Sequence, residues 1–109
     1  MFRWLKNLFS YKLLGGVRSG KWVSVRRKFL KTHPYCAVCG RKSTLLKANE
    51  VHHVVPVNVD PLLELIENNL IVLCREHHFL VGHLCSWFSW NSNVRKNADE
   101  WRVKILQRP

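Results

Sequence analysis

His52-His53 and His77-His78 are two adjacent histidine pairs in a chain that carries 6 histidines and 4 cysteines. Each pair lies close to cysteines at ligand spacing. Cys36-x-x-Cys39 precedes the first pair, and Cys74-x-x-His77 leads into the second. Thiolate and imidazole are the common ligands of structural zinc, and Cys36, Cys39, Cys74 and His77 together make a tetrahedral set. Two half-sites so far apart in sequence would clip a long loop shut. Cys85 is the other candidate for the fourth ligand, but it lies well beyond Cys74 and reads instead as a small buried hydrophobe.

The remaining histidines offer a different kind of site. His52 and His53 are neighbours in a strand-like stretch, so their side chains point to opposite faces. One cation does not readily take both. A division of labour follows, in which one holds a metal and the other acts as a base. An unperturbed imidazole titrates near neutrality, which suits proton abstraction from water. His78 enters from the next helix and meets the strand histidine across a hairpin. Two imidazoles leave most of a cation's coordination open to phosphate and water.

The elements that must position these groups are legible in outline. Phe2, Leu5, Phe9 and Leu13 sit near helical spacing, which makes residues 2–14 a basic amphipathic helix that packs on the core or touches a partner. Gly15-Gly16 and Ser19-Gly20 break it. Trp22, Val25, Phe29 and Leu30 share one face of a second helix over 21–32, and Pro34 lies beyond its end, with His33 as a helix-end residue. Gly40 suits a tight turn after Cys39. Residues 45–55 read as a strand, 62–66 as one helical turn, 70–73 as the second strand of a hairpin, and 75–84 as a helix. Val94, Ala98, Trp101 and Ile105 share the face of a last helix. Trp87, Phe88, Trp90 and Trp101 read as completing a small core, with base stacking as the alternative.

Size and charge narrow the function. With 109 residues the chain makes one small domain, in which an internal staple is expected. The N-terminus lacks the apolar run of a signal peptide, and no stretch reaches the ~18 apolar residues that span a bilayer. A reducing compartment is therefore expected, with cysteines as metal ligands rather than disulfides. Lys and Arg number 18 against 7 Asp and Glu, a formal net charge of +11 that argues for a polyanionic partner. Nucleic acid fits best, with an acidic membrane surface as the rival.

The order Cys-x-x-Cys-Gly, Glu-x-His-His, then Asn-Leu-Ile-x-Leu-Cys-x-x-His-His resembles the HNH endonucleases, also called ββα-metal or His-Me finger nucleases. It is most similar to the small zinc-ribbon members of bacteriophages and bacteria. The resemblance implies an α+β fold: a ββα-metal finger stapled by a structural zinc site, with flanking N- and C-terminal helices. Residues 1–20 would be the basic amphipathic segment and 21–109 a single nuclease domain, with its motif core at 36–83 and a last helix at about 94–107. His52 would ligate the catalytic cation and His53 would be the general base. Asn69 would pin the loop between strand and base. His78 would be the second cation ligand and His83 a third, although a five-residue offset is awkward on an α-helix. Many relatives have a cysteine where this chain has His77. The implied activity is hydrolysis of DNA phosphodiesters with Mg²⁺, Mn²⁺ or Ni²⁺, in the cytoplasm of a bacterial host cell. DNA is the implied partner, without a membrane. Phage packaging proteins are a further class of partner, and the oligomeric state stays open. A non-catalytic zinc-ribbon DNA-binding module is the alternative, and RNA cleavage a second one.

Overall fold

A computed structural model describes residues 19–108, so the expected helix over 2–14 lies outside the described residues. Helix α1 spans Trp22–Thr32 and buries Trp22 and Phe29, two turns apart on one face. The Thr32 hydroxyl and the His33 amide both donate to the Phe29 carbonyl and close the helix before Pro34.

The centre is an antiparallel hairpin of β1 (Glu50–His53) and β2 (Leu70–Leu73). All of β2 is buried, and its side chains alternate between two cores. Leu70 and Val72 join Trp22, Phe29 and Val51 under α1. Ile71 and Leu73 join Cys36, Val38, Val81, Val94 and Ala98 on the other face. The hairpin is thus covered on both sides, which explains why so short a strand is apolar throughout. The register pairs His52 with Ile71 and His53 with Leu70. The period of two therefore sends His52 towards one core and His53 towards the other.

After β2, helix α2 runs Arg75–His77 and continues without a break as a π-helix over His78–Gly82. The backbone then turns sharply through Leu84 and Cys85, both left-handed with φ of 52° and 66°. Helix α3, Val94–Leu106, packs Val94, Ala98 and Ile105 against the second core.

Four sequence expectations change. The first strand is shorter than 45–55, because Thr44 and Lys47 close a turn by two hydrogen bonds and leave Leu45 and Leu46 fully in solvent. The helix expected over 75–84 is α only for its first turn. Cys85 is an exposed thiol and not a buried hydrophobe. Trp87, Phe88, Trp90 and Trp101 do not complete the core; all are exposed, because aliphatic residues of β2 and α3 already fill it.

Candidate metal centres and a candidate base

The first cluster is assembled by a knuckle and a helix start. Cys36 and Cys39 lie in a turn in which the Gly40 amide donates to the Cys36 carbonyl at 2.8 Å. Gly40 has φ +75°, and the Arg102 guanidinium occupies the space where a side chain would project. The Ala37 amide donates to the Val72 carbonyl, stitching the knuckle to β2. Cys74 follows β2 directly and caps the start of α2, so His77 arrives one turn later. The Cys39 and Cys74 sulfurs are 3.8 Å apart, and His77 Nδ1 lies 3.1 Å from Cys74 Sγ and 4.0 Å from Cys36 Sγ.

The donor set fits zinc. With bonds of about 2.3 Å, two thiolates on a tetrahedral ion lie about 3.8 Å apart. The thiols themselves register the crowding. Burial, reinforced by the Cys36 and Cys39 sulfurs and opposed by the His77 amide, pushes Cys74 up to about 12. For Cys36, burial acts upward but backbone amides of Cys39, Cys74 and Val38 outweigh it, so its pKa is held below the usual thiol value. Burial also lowers His77, against the pull of Glu76. A dication here would compensate the Cys74 thiolate, which this packing otherwise penalises.

The second cluster is made of imidazoles alone. His52 from β1 meets His78 and His83, and one nitrogen of each lies within 4.8 Å of the others. His78 Nε2 is 3.0 Å from His52 Nδ1 and 3.2 Å from His83 Nε2. Ligand nitrogens on a tetrahedral cation with bonds of 2.0–2.1 Å lie about 3.3 Å apart. The five-residue offset of His83 is resolved by the backbone. The His83 amide bonds to the His78 carbonyl, an i→i+5 step, and this wider turn brings His83 round beside His78.

Neighbouring groups orient these rings. His78 Nδ1 sits 3.3 Å from a Glu50 carboxylate oxygen, and His83 Nδ1 donates to the Ser89 carbonyl at 2.8 Å. Both contacts leave Nε2 with its lone pair towards the cluster. Burial, together with repulsion from His78 and His83, lowers His52 to about 2, which favours its neutral ring. Burial likewise lowers His78, partly offset by Glu50. Gly82 lets the rings approach: a Cβ there would lie 3.2 Å from His78 and 3.3 Å from His52. His52 Nε2 is buried with no partner among the described residues.

His53 stands apart from that cluster, yet both open on one cleft of about 270 Å³. His53 Nε2 donates to the Glu64 carbonyl at 2.9 Å, which places a proton on Nε2. Its ring packs on Trp22 of α1, with centroids 4.4 Å apart. Glu64 is itself buried and accepts from the Ser19 amide at 2.7 Å. Asn69 is buried at the start of β2. It accepts from the Val55 amide at 2.8 Å and donates to the carbonyls of Val55 and Leu63, at 3.0 and 3.1 Å. These bonds tie the end of β1 to the loop that carries Glu64.

Several contributors were not foreseen from sequence. Glu50 had a usable signal, since it lies two residues before His52 on the same strand face. Trp22, the Glu64 and Ser89 carbonyls and Gly82 had none, because each acts through tertiary placement.

Residues 36–79 match the family model described as HNH endonuclease. No curated protein and no solved structure matched the chain. No described helix is long and apolar enough to cross a membrane.

Proposed function

From the HNH endonuclease match over residues 36–79, we propose that the chain is a metal-dependent endonuclease that hydrolyses DNA phosphodiester bonds. The observation that carries this reading is the placement of His53 against the imidazole cluster. The base and the three cation ligands come from opposite faces of the sheet, yet they line one cleft.

His52, His78 and His83 would hold a divalent cation, which would supply electrostatic stabilisation to the phosphate oxygens and the leaving oxygen. Three imidazoles favour Mn²⁺ or Ni²⁺ over Mg²⁺, which prefers oxygen ligands. His53 takes a proton from water through Nδ1 while its Nε2–H stays on the Glu64 carbonyl. The water oxygen bonds to phosphorus, and the bond from phosphorus to the 3′ oxygen breaks. The products are a 5′ phosphate and a 3′ hydroxyl, whose proton comes from solvent. Trp22 and Asn69 are positioning residues: Trp22 holds the face of the imidazole, and Asn69 holds the loop that presents the carbonyl. The Cys36–Cys39–Cys74–His77 set, away from the cleft, would hold a structural zinc ion. Exposed Arg and Lys residues neutralise flanking phosphates; Arg26, Lys47 and Arg75 line one further hollow on the surface.

The test is relaxation of supercoiled plasmid with Mg²⁺, Mn²⁺ or Ni²⁺, with and without chelator. Wild-type protein should nick in a cation-dependent manner. His53→Ala should slow nicking by about 10²- to 10⁴-fold, the usual contribution of a general base, with its zinc content and thermal transition unchanged. A wild-type protein that binds plasmid but nicks with none of the three cations would leave the non-catalytic DNA-binding reading in its place.

A further inference from the structure

The cleft has one wall that hydrolysis does not use. Trp87, Phe88 and Trp90 fall within four residues of each other, and all line the cleft beside the histidines. They are not core residues: Phe88 is 94% exposed, Trp87 48% and Trp90 36%. Trp87 begins where the cation ligands end, with its ring centroid 4.8 Å from His83 and 5.3 Å from His78.

The segment is held firmly in this exposed position. Ser89 Oγ donates to the His83 carbonyl at 2.6 Å, and the Ser89 carbonyl accepts from the His83 ring at 2.8 Å. The buried Asn91 ties the far end to the π-helix, through its amide to the Gly82 carbonyl and its side chain to the Val81 carbonyl. At the near end, Leu84 and Cys85 adopt left-handed backbone that L-residues rarely use. A chain held this way against solvent presents aromatic faces that are ordered before a ligand arrives, so little entropy is lost on contact.

We propose that Trp87, Phe88 and Trp90 form a stacking platform for an unpaired nucleobase of a DNA strand whose phosphate lies at the histidine cluster. The proposal rests on the nuclease reading above and names its substrate class: single-stranded DNA, or a duplex that is unpaired next to the cut. Three observations select this occupant. The chain carries a net +11, which suits a polyanion. The aromatic wall and the histidines line the same cleft of about 270 Å³, so a nucleotide with its phosphate at the histidines would bring its base to the aromatic side chains. A base within a duplex offers only its edges to a protein, whereas its face is available once it leaves the stack.

The experiment uses full-length His53→Ala protein, which leaves DNA intact, and measures anisotropy of a labelled 20-nucleotide oligothymidylate and of a 20-base-pair duplex. On charge alone the duplex binds more tightly, because its charge density is higher. The platform predicts that the oligothymidylate binds at least as tightly as the duplex. Adding Phe88→Leu should weaken the oligothymidylate by roughly 5- to 100-fold, the usual loss for one stacking aromatic, and should change duplex binding by less than about twofold. Phe88→Tyr should retain the wild-type ratio. Phe88 touches so little of the protein that these variants test stacking rather than folding. Equal losses on both DNAs, or no loss on either, would overturn the platform. Plasmid nicking by wild-type protein reports separately on the nuclease reading, so either can fail while the other stands.

Discussion

The Cys36–Cys39–Cys74–His77 cluster and the His52–His78–His83 cluster hang from the same hairpin and meet at adjacent residues, since His77 serves one and His78 the other. Between them the helix changes from α to π. On the α side, a one-turn step from Cys74 completes a set of four donors that leaves no position for substrate. On the π side, the wider turn completes a set of three donors that faces a cleft. Cys36 and Cys74 sit within the second core. His52, His78 and His83 line the cleft. Under the proposed function, one short helix would serve a structural centre and a chemical one, with its winding changing at the boundary.

The largest break in this comparison is to remove a thiolate. Structural zinc contributes on the order of 10 kcal/mol in small domains, about the whole stability of a typical one. Cys36→Ser should therefore give a chain without a cooperative thermal transition by circular dichroism, and without bound zinc by atomic absorption. Removing an imidazole from the open cluster, as in His83→Ala, should leave both signals in place. A Cys36→Ser chain that melts cooperatively without metal would erase the distinction between the centres.

A smaller break acts on the base side of the hairpin. Asn69→Leu keeps the volume but deprives the Val55 amide, the Val55 carbonyl and the Leu63 carbonyl of their partner. A buried group left unsatisfied costs about 1–3 kcal/mol, and water can reach part of this loop, so a loss of about 2–4 kcal/mol in urea unfolding is expected. Zinc content should stay at one per chain, and nicking should fall because the Glu64 carbonyl no longer holds His53. Unchanged nicking with that loss of stability would make Asn69 a purely structural residue.

How much of this was legible in the sequence depends on which rule each residue obeys. The Cys-x-x-Cys knuckle and the alternation of His52 and His53 follow from spacing alone, and the folded chain brings Cys74 and His77 to that knuckle. The π-turn did not show itself, because it is a property of backbone hydrogen bonds and not of side-chain period. On an α-helix His83 points away from His78; on this one it does not. The strand over 45–55 was drawn too long because Leu45 and Leu46 have the right polarity for a strand, while the turn at Thr44 and Lys47 is decided by local hydrogen bonds. The aromatic tail reads as core from the sequence because composition records that a residue is large and apolar, not that the space for it is already filled.

The smallest change sharpens the comparison most, because it touches the open cluster without removing a ligand. Gly82 closes the π-helix, and a methyl group there would sit 3.2 Å from the His78 ring and 3.3 Å from the His52 ring. Those contacts are tighter than van der Waals packing allows, so one ring must move by a few tenths of an ångström. His52 is fixed on β1 by its cross-strand pairing with Ile71, which leaves His78 to yield, away from Glu50 or from His83. Either way the three nitrogens no longer converge as well. Changes at groups that orient ligands typically lower metal affinity by about 10- to 100-fold. Gly82→Ala leaves all three ligands in place, so about a tenfold weakening of Mn²⁺ or Ni²⁺ binding by calorimetry is expected. The Cys36–Cys39–Cys74–His77 cluster lies on the α side of the boundary, so zinc content should stay at one ion per chain, with a thermal transition within a few degrees of wild type. If Gly82→Ala lowers zinc retention as much as it lowers Mn²⁺ affinity, the two clusters are one mechanical unit, and the change of winding between His77 and His78 does not insulate them.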